Sequence, residues 1–533
     1  MAASLKPEEF EQMATLGDVA RYHGRTRGGQ VALSFEGRVT TYGEYDRHTN
    51  QVAHALIAAG VKHGDAIAYL GKNSDHYFEL VLGAAKIGAI IAPIGWRLSP
   101  AEVAYIIDDT EAKLLFVGNE CLECADAAVR EAKTKPVLIV MEPGSHGLTT
   151  FEAWRNAQSD ADPNVAVAPE DTALLLYTSG TTGRPKGVML TSANLLRSRR
   201  SLAQSQMGWN EWNEGETNLV AMPAAHIGGT GWGLVGLING VRNIVTREFN
   251  PVEVLEFIER ERIAKMFMVP AALQFVIRMP RAREIDYSSL THILYGASPM
   301  PVALLQECMD VFGCQFVQQY GMTETTGTIV YLPPQDHDPK GNRRMASAGL
   351  PMPGVEIRIV DENGNVLGPN QTGEICTRSA ANMAGYWRNA DATSTTVDGD
   401  GWLRTGDAGY IDEDGYLFIM DRIKDMICSG AENVYPAEVE NAIHGHPAVA
   451  EVAVIGVPDE KWGEAVTAIV VPKPGAEKDE ASIIAFARDR IAHYKAPKRV
   501  EFRDEPLPRS GSGKILRREL RDPFWAGRER RVN

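Results

Sequence analysis

The chain has 533 residues, 44% of them hydrophobic and 23% charged, and carries a formal net charge of −15. That length exceeds what one hydrophobic core fills and predicts at least two globular domains. The acidic balance argues against nucleic acid or an anionic membrane surface as the main partner, so a phosphate ligand must be drawn in by local charge.

The first residues, MAASLKPEEFEQMATL, lack the basic start and apolar core of a secretion signal. The most apolar stretch, 80–96, is interrupted by Lys86 and by glycines. The sequence therefore reads as a cytoplasmic protein without stable membrane insertion. Six scattered cysteines predict reduced thiols, and the pair Cys121 and Cys124 has no second ligand pair at zinc-like spacing.

In chain order, residues 40–60 place Tyr45, Val52, Leu56 and Ile57 on one helical face and end on Gly60, a C-cap residue type. An apolar run at 65–70, a helix over 74–87 and a second apolar run at 89–94 give the strand, helix, strand order of a mainly parallel sheet covered by helices. Strands at 113–117, 136–141, 172–176, 218–222, 243–245, 265–269 and 292–295 continue it. From Gly349 the texture changes to short β segments separated by DENG at 361–364, DGDG at 398–401 and DEDG at 412–415, which predict a β-rich, barrel-like subdomain. After Asp421-Arg422-Ile423-Lys424-Asp425 come Pro436 at the head of a helix over 437–444, strands at 451–457 and 466–471, and a helix over 481–493. The fold class is α/β, with a large N-terminal domain over 1–421 and a small α+β C-terminal domain over 422–533.

The run YTSGTTGRPKG at 177–187 sets four hydroxyl residues, three glycines and a lysine into eleven positions after an apolar strand. Glycines let the backbone approach an anionic oxygen, hydroxyls and N–H groups donate to it, and Lys186 adds positive charge. Pro185 before that lysine and Gly187 after it exclude a standard P-loop, in which Gly-Lys-Ser/Thr opens a helix. Val188, Met189 and Leu190 look extended, and a helix starts only at Thr191 or Ser192. Taken alone, the run has the composition of a solvated surface turn as well.

That run, QQYGMTE at 318–324, Thr405-Gly406-Asp407, DRIKDMICSGAENVYPAEVE and PRSGSGKILRR occur in this order along the chain. Together they resemble the adenylate-forming superfamily, which includes acyl- and aryl-CoA synthetases, over nearly the whole chain. The resemblance implies a two-step reaction: a carboxylate attacks the α-phosphorus of ATP to give an acyl-AMP and pyrophosphate, and a thiol then displaces AMP. ATP, Mg²⁺ and CoA are the implied cofactors, a small-molecule carboxylate is the substrate, and a homodimer is left open.

By the same resemblance, Thr178, Ser179, Gly180, Thr181, Thr182, Gly183 and Lys186 hold the β- and γ-phosphates. Glu324 is the Mg²⁺ carboxylate and Thr323 contacts the α-phosphate. Gly296, Ala297 and Ser298 give a flat base access to backbone, Tyr320 beside Gly321 stacks on the adenine, and Asp407 and Arg422 reach the ribose. Lys514 bridges the substrate carboxylate and the α-phosphate, then withdraws as a mobile C-terminal domain turns about Lys424. Turning brings Gly430 and Ala431 against the active site, where Ala431 replaces a second glycine that is common in CoA ligases and adds a methyl to the pantetheine tunnel. Cations and fixed donors suit this chemistry because it drives two anions together.

His226, within MPAAHIGGTGWG at 222–233, stands where the family places an aromatic gate between the ATP and acyl sites. No Asp occurs in that segment to pair with an α-amino group, which disfavours amino-acid substrates. Gly228, Gly229, Thr230 and Gly231 remove side-chain volume, so a fatty or aryl-aliphatic acid is expected, unless the glycines serve tight helix packing. Trp232 walls that pocket or packs in the core. Alternatives to a CoA ligase are an acyl-AMP ligase that delivers to a carrier protein and a non-catalytic binder of nucleotide or acyl-AMP.

Overall fold

The computed structural model describes residues 5–144, 147–178, 185–205, 207–429, 432–509 and 514–526. Its first large sheet has seven strands. Thr172–Thr178, Ile90–Ile94, Ala66–Leu70, Leu114–Val117 and Val137–Val140 run parallel in that order. The inner pair, Ala66–Leu70 and Ile90–Ile94, is buried at every position, so these strands read as unbroken apolar runs. Two antiparallel strands complete one edge: Lys186–Thr191, and then the two-residue strand Gly385–Tyr386.

The second large sheet has nine strands. Its parallel centre runs Gln315–Met322, His292–Gly296, Ile263–Met268, Thr217–Val220, Arg242–Val245 and Val31–Phe35, with antiparallel strands at both edges. Helices cover these sheets where the sequence predicts them. Tyr42–Ala58 starts at a capping box, in which Thr41 accepts from the Glu44 N–H and the Glu44 carboxylate reaches back to Thr41, and Gly60 follows it at φ +79°. Asp75–Ala85 is capped by Ser74.

The β-rich subdomain is built on four antiparallel strands in the order Glu356–Val360, Gly373–Arg378, Leu403–Ile411 and Leu417–Arg422. Its three Asp-x-x-Gly turns share one device. Asp361, Asp398 and Asp412 each accept two backbone N–H groups from the residues two and four positions on. Gly364, Gly401 and Gly415 close the turns at φ +85°, +82° and +86°, where a Cβ would strain the backbone.

The small C-terminal α+β domain has strands Val449–Asp459 and Gly463–Pro472 at its centre, backed by Pro436–His444 and Glu480–Arg488. The predicted helix over 481–493 stops at Arg488, because the chain must turn there to bury Ala496 in this core. It then supplies Arg499–Phe502, a strand parallel to Gly463–Pro472 that the sequence pattern does not reveal. Among the described residues no helix is long and apolar enough to cross a membrane.

Candidate active site

The two ends of the glycine-rich run meet as neighbours: Thr178 closes one strand, Lys186 opens the next, and the two pair in antiparallel register. Both flanks are tied down. Tyr177 donates to Asp109 at 2.6 Å, the Tyr105 hydroxyl donates to the Pro185 carbonyl at 3.3 Å, and the Trp387 N–H donates to the Gly187 carbonyl at 2.7 Å. Ser179, Gly180, Thr181, Thr182 and Gly183, between these flanks, lie outside the described residues, as do Gly430 and Ala431.

Glu324 sits in the short turn Thr323–Thr325 that follows Gln315–Met322, and it is buried, with Thr323 half-buried beside it. Its Oε1 accepts from Tyr386 Oη at 3.0 Å and from Thr178 Oγ1 at 3.4 Å. Oε2 makes no hydrogen bond among the described residues. The Lys186 ammonium lies 4.8 Å from the centroid of the Tyr386 ring, within cation–π range. Tyr386 therefore joins the predicted phosphate lysine to the predicted metal carboxylate. The motifs missed it; its only local signal is Gly-Tyr-Trp just before Asn389, the N-cap of Ala390–Thr396.

A second cluster lies alongside. Asp407 is buried, Tyr320 Oη donates to its Oδ2 at 2.7 Å, and Arg422 Nε pairs with its Oδ1 at 2.8 Å across adjacent strands. Asp407 above all, with smaller contributions from Tyr320 and Glu324, raises the pKa of Arg422 although burial opposes the charge. Each carboxylate oxygen retains a second lone-pair direction, so these contacts orient Asp407 without exhausting it. Tyr320 is held by its hydroxyl, and the rest of its ring packs beside the apolar interior of the β-rich subdomain.

Gly296 ends His292–Gly296 at a close approach: a Cβ there would stand 2.0 Å from the Gln319 carbonyl oxygen. Ala297 follows at φ +66°, a strained conformation for a residue with a side chain, and turns Ser298 away from the strand. Gly321 has the same need, with the Gly327 carbonyl oxygen 1.8 Å from a built Cβ. These small residues keep the ends of two adjacent strands together at the carboxyl edge of the sheet, the edge where open α/β folds bind ligands.

His226 stands at the N-cap position of the helix Ile227–Ile238 without a side-chain capping bond, and is half-buried. Burial first, then the charges of Lys514 and Arg97, pull its pKa down to about 4, so the ring is neutral at pH 7. The charge on Lys514 thus reaches His226 from the far end of the chain. The glycine segment does two jobs. Gly229 is a packing glycine, its Cβ position 2.1 Å from the Pro223 carbonyl oxygen, and Thr230 is fully buried between Tyr77 and the Ala224 carbonyl. Gly228 and Gly231 are half-buried and face Phe267 and Ile227. Trp232 belongs to the core: it is buried, donates to the Leu219 carbonyl at 3.0 Å and packs between Trp212 and Phe267.

Among the described residues no group of three or more His, Cys, Asp or Glu could hold a metal unaided. A single backed carboxylate suits Mg²⁺, which binds through one or two carboxylates together with substrate phosphates. Cys121 and Cys124 are unbridged, and burial raises the pKa of both thiols, as inert packing residues require.

Two family models match the chain, an AMP-binding enzyme over residues 20–387 and an AMP-binding enzyme C-terminal domain over residues 438–514. The chain is 42% identical to the fatty acid–[acyl-carrier-protein] ligase ScoC of Streptomyces coeruleorubidus, covering 98% of this chain and 99% of that protein. It is 38% identical to a feruloyl-CoA synthase of Amycolatopsis, covering 93% and 96%. Among solved structures it resembles the anthranilate CoA ligase AuaEII in complex with anthranoyl-AMP, with a TM-score of 0.88, 27% identity and coverage of 98% and 99%. With the motifs, the sheets and these likenesses in agreement, the chain belongs to the adenylate-forming superfamily, in its branch of AMP-forming acid–thiol ligases.

Proposed function

We propose that this protein activates a hydrophobic carboxylic acid, fatty or aryl-aliphatic, with ATP to an acyl-AMP and transfers the acyl group to the thiol of CoA. The observation that carries this reading is the convergence of Lys186, Glu324, Asp407 and Arg422 from three sheets, with the charge of Lys514 reaching His226 from the small domain. The domain division is set at 421/422, with the turn about Lys424.

In the first half-reaction a carboxylate oxygen of the acid bonds to the α-phosphorus, the bond to the bridging oxygen breaks, and pyrophosphate leaves. Lys186, Thr178 and the rest of the glycine-rich run hold the departing phosphates, and Thr323 contacts the α-phosphate. Tyr320, Asp407, Arg422 and the segment Gly296-Ala297-Ser298 hold the nucleoside. Glu324 fits Mg²⁺, which when bound offsets the charge on the phosphates. Lys514 brings the substrate carboxylate and the α-phosphate together, offsetting the repulsion between two anions. His226, being neutral, separates the phosphate site from the acyl site without adding a cation. In the second half-reaction the thiol sulfur bonds to the acyl carbonyl carbon and AMP leaves.

The half-buried Gly228 and Gly231, with Phe267 and Ile227 next to them, support an apolar acyl group. A second reading has the likeness to ScoC behind it, together with the extra methyl of Ala431: the acceptor is the phosphopantetheine thiol of a carrier protein. A panel of acids from acetate through long-chain fatty and hydroxycinnamic acids, scored by carboxylate-dependent ATP–pyrophosphate exchange, tests activation. AMP release with CoA and, in parallel, with a phosphopantetheinylated carrier protein assigns the acceptor. Absence of exchange with every acid would favour a non-catalytic binder.

A further inference from the structure

The strand Leu417–Arg422 delivers two neighbouring charged residues to opposite tasks. Arg422 turns to Asp407, whereas Asp421 turns to the small domain and is buried there. Asp421 belongs by backbone pairing to the four-stranded sheet, opposite Ala408. Its Oδ2 accepts the Ala437 N–H at 2.8 Å, in the first turn of Pro436–His444, and its Oδ1 accepts the Arg422 N–H at 2.7 Å and lies 3.7 Å from Arg517 Nη1. Arg517 in turn grips Glu440 with two parallel bonds, Nη2 to Oε2 at 2.7 Å and Nε to Oε1 at 3.1 Å, and Glu440 Oε1 also accepts the Val454 N–H at 2.8 Å. The side chains of Asp421 and Arg517 are 5% and 17% exposed, so this network is shielded from water.

Arg517 starts the helix Arg517–Trp525, three residues after Lys514. The segment before it is closed at its base by a bridge between Arg509 and Ile515 and by the Leu516 N–H, which donates to the Pro508 carbonyl at 2.8 Å. Arg509 also pairs with Glu451 at 2.7 Å. The residues on either side of the Lys514 loop are therefore anchored in the small domain, and Arg517, three residues after Lys514, reaches the large domain at Asp421.

We propose that Asp421 is a positioning residue for Lys514: by holding the Ala437 N–H and Arg517 across the domain boundary, it latches the small domain in the orientation that makes the acyl-AMP. The inference rests on the two-step reading above. The Arg517–Glu440 pair lies within the small domain and survives any turn of it about Lys424. The contacts of Asp421 with Ala437 and Arg517 cross the hinge and do not. Breaking a buried charge contact from one side is costly because it leaves its partners uncompensated, so the latch holds until thiol transfer requires release. Burial, aided by Glu440 and opposed by Arg517, raises the Asp421 pKa to about 6, which marks a carboxylate held close to the limit of what its partners support.

The test uses the full chain with Asp421→Asn, Arg517→Met and Arg517→Lys, and reads each half-reaction separately. ATP–pyrophosphate exchange should fall by about tenfold or more in Asp421→Asn and Arg517→Met, with KM for ATP within about threefold, and Arg517→Lys should keep more of the rate. Consumption of supplied acyl-AMP by CoA, or by a phosphopantetheinylated carrier protein, should stay within about twofold of wild type, because it follows release of the latch. Equal loss of both half-reactions, or none in the first, would overturn the latch. A readout free of activity accompanies it: tryptic cleavage after Arg422 and Lys424, at a temperature well below the thermal midpoint of both proteins, should quicken in Asp421→Asn. Unaltered cleavage counts against the latch even if the wild-type chain shows no exchange, a result that would by itself sink only the functional reading.

Discussion

Tyr386 donates its hydroxyl proton to Glu324 across 3.0 Å, and the face of the same ring lies 4.8 Å from the Lys186 ammonium. A hydrogen bond to a charged acceptor contributes roughly 1.5–3 kcal/mol, and a cation over an aromatic face about 0.5–2 kcal/mol. Tyr386→Phe, which keeps the ring, should lower kcat/KM for ATP by about tenfold and raise the Mg²⁺ concentration needed for half-maximal exchange. Tyr386→Leu removes both contacts and should cost about tenfold more. Steady-state exchange at several Mg²⁺ concentrations checks this; a phenylalanine variant with unchanged Mg²⁺ dependence would separate Tyr386 from the metal carboxylate.

What the sequence revealed and what it hid follow from how each contact is encoded. Inner strands such as Ala66–Leu70 and Ile90–Ile94 are legible because burial on both faces demands unbroken apolar runs. Thr191 is legible as an N-cap because the helix Ser192–Gln204 needs an oxygen for its first N–H groups, and Thr191 Oγ1 accepts from the Asn194 N–H at 3.0 Å. Ile227–Ile238 hides because it is buried nearly all round and has no polar face to set a period. Tyr386 hides for another reason: its partner Glu324 is 62 positions away, and its two-residue strand exists only through pairing with Lys186–Thr191. Asp421 and Arg517 look like solvated charges until the fold brings them together. Which of the glycines after His226 free volume and which serve helix packing is not legible in the sequence: a Cβ on Gly229 would meet a backbone carbonyl, whereas Gly228 and Gly231 meet only side chains.

Lys514 is the one predicted reactive cation that the small domain supplies. Lys514→Ala should lower acyl-AMP formation by roughly a hundredfold or more, the order expected for removal of one preorganised charge from a transition state. It should leave transfer from supplied acyl-AMP to the thiol within about threefold. Single-turnover assays of each half-reaction decide it, and a matching loss in both would remove the assignment.

Gly229 and Gly236 make a stability prediction independent of catalysis. A Cβ at Gly229 would stand 2.1 Å from the Pro223 carbonyl oxygen, and one at Gly236 would stand 1.9 Å from Asn243 Oδ1, which accepts from buried Asn218 at 2.9 Å. Overpacking of this kind costs about 1–3 kcal/mol, and more when a buried hydrogen bond is displaced. Gly236→Ala should therefore lower the thermal midpoint clearly, whereas Gly60→Ala, with nothing within 4 Å of its Cβ position, should act only through its φ of +79° and cost less. Thermal unfolding of the two variants side by side tests the order; the reverse ranking would contradict the packing of Ile227–Ile238.

Histidines that are buried, like His23, or half-buried, like His226, His292 and His337, set the acid side of the stability profile. Burial, the largest cause in each, lowers the pKa values of His23, His226, His292 and His337 to about 4, from the ordinary 6.5. Between these values the unfolded chain takes up protons that the folded chain refuses. Their contribution is therefore fully present above pH 6.5 and is lost as the pH falls toward 4. Asp421 has the opposite sign: raised to about 6 from 3.8, it binds its proton more readily in the folded state, so its penalty is relieved as the pH falls between those values. With His444 and His446 lowered in the same direction, the histidines outweigh Asp421 and predict a thermal midpoint that is level between pH 7 and 8 and falls from pH 7 to pH 5. Asp421→Asn, which removes the opposing group, should make the fall steeper. Scanning calorimetry across this range gives the answer, and a midpoint that rises toward pH 5 in the wild-type chain would mean that the imidazoles are not held neutral by burial.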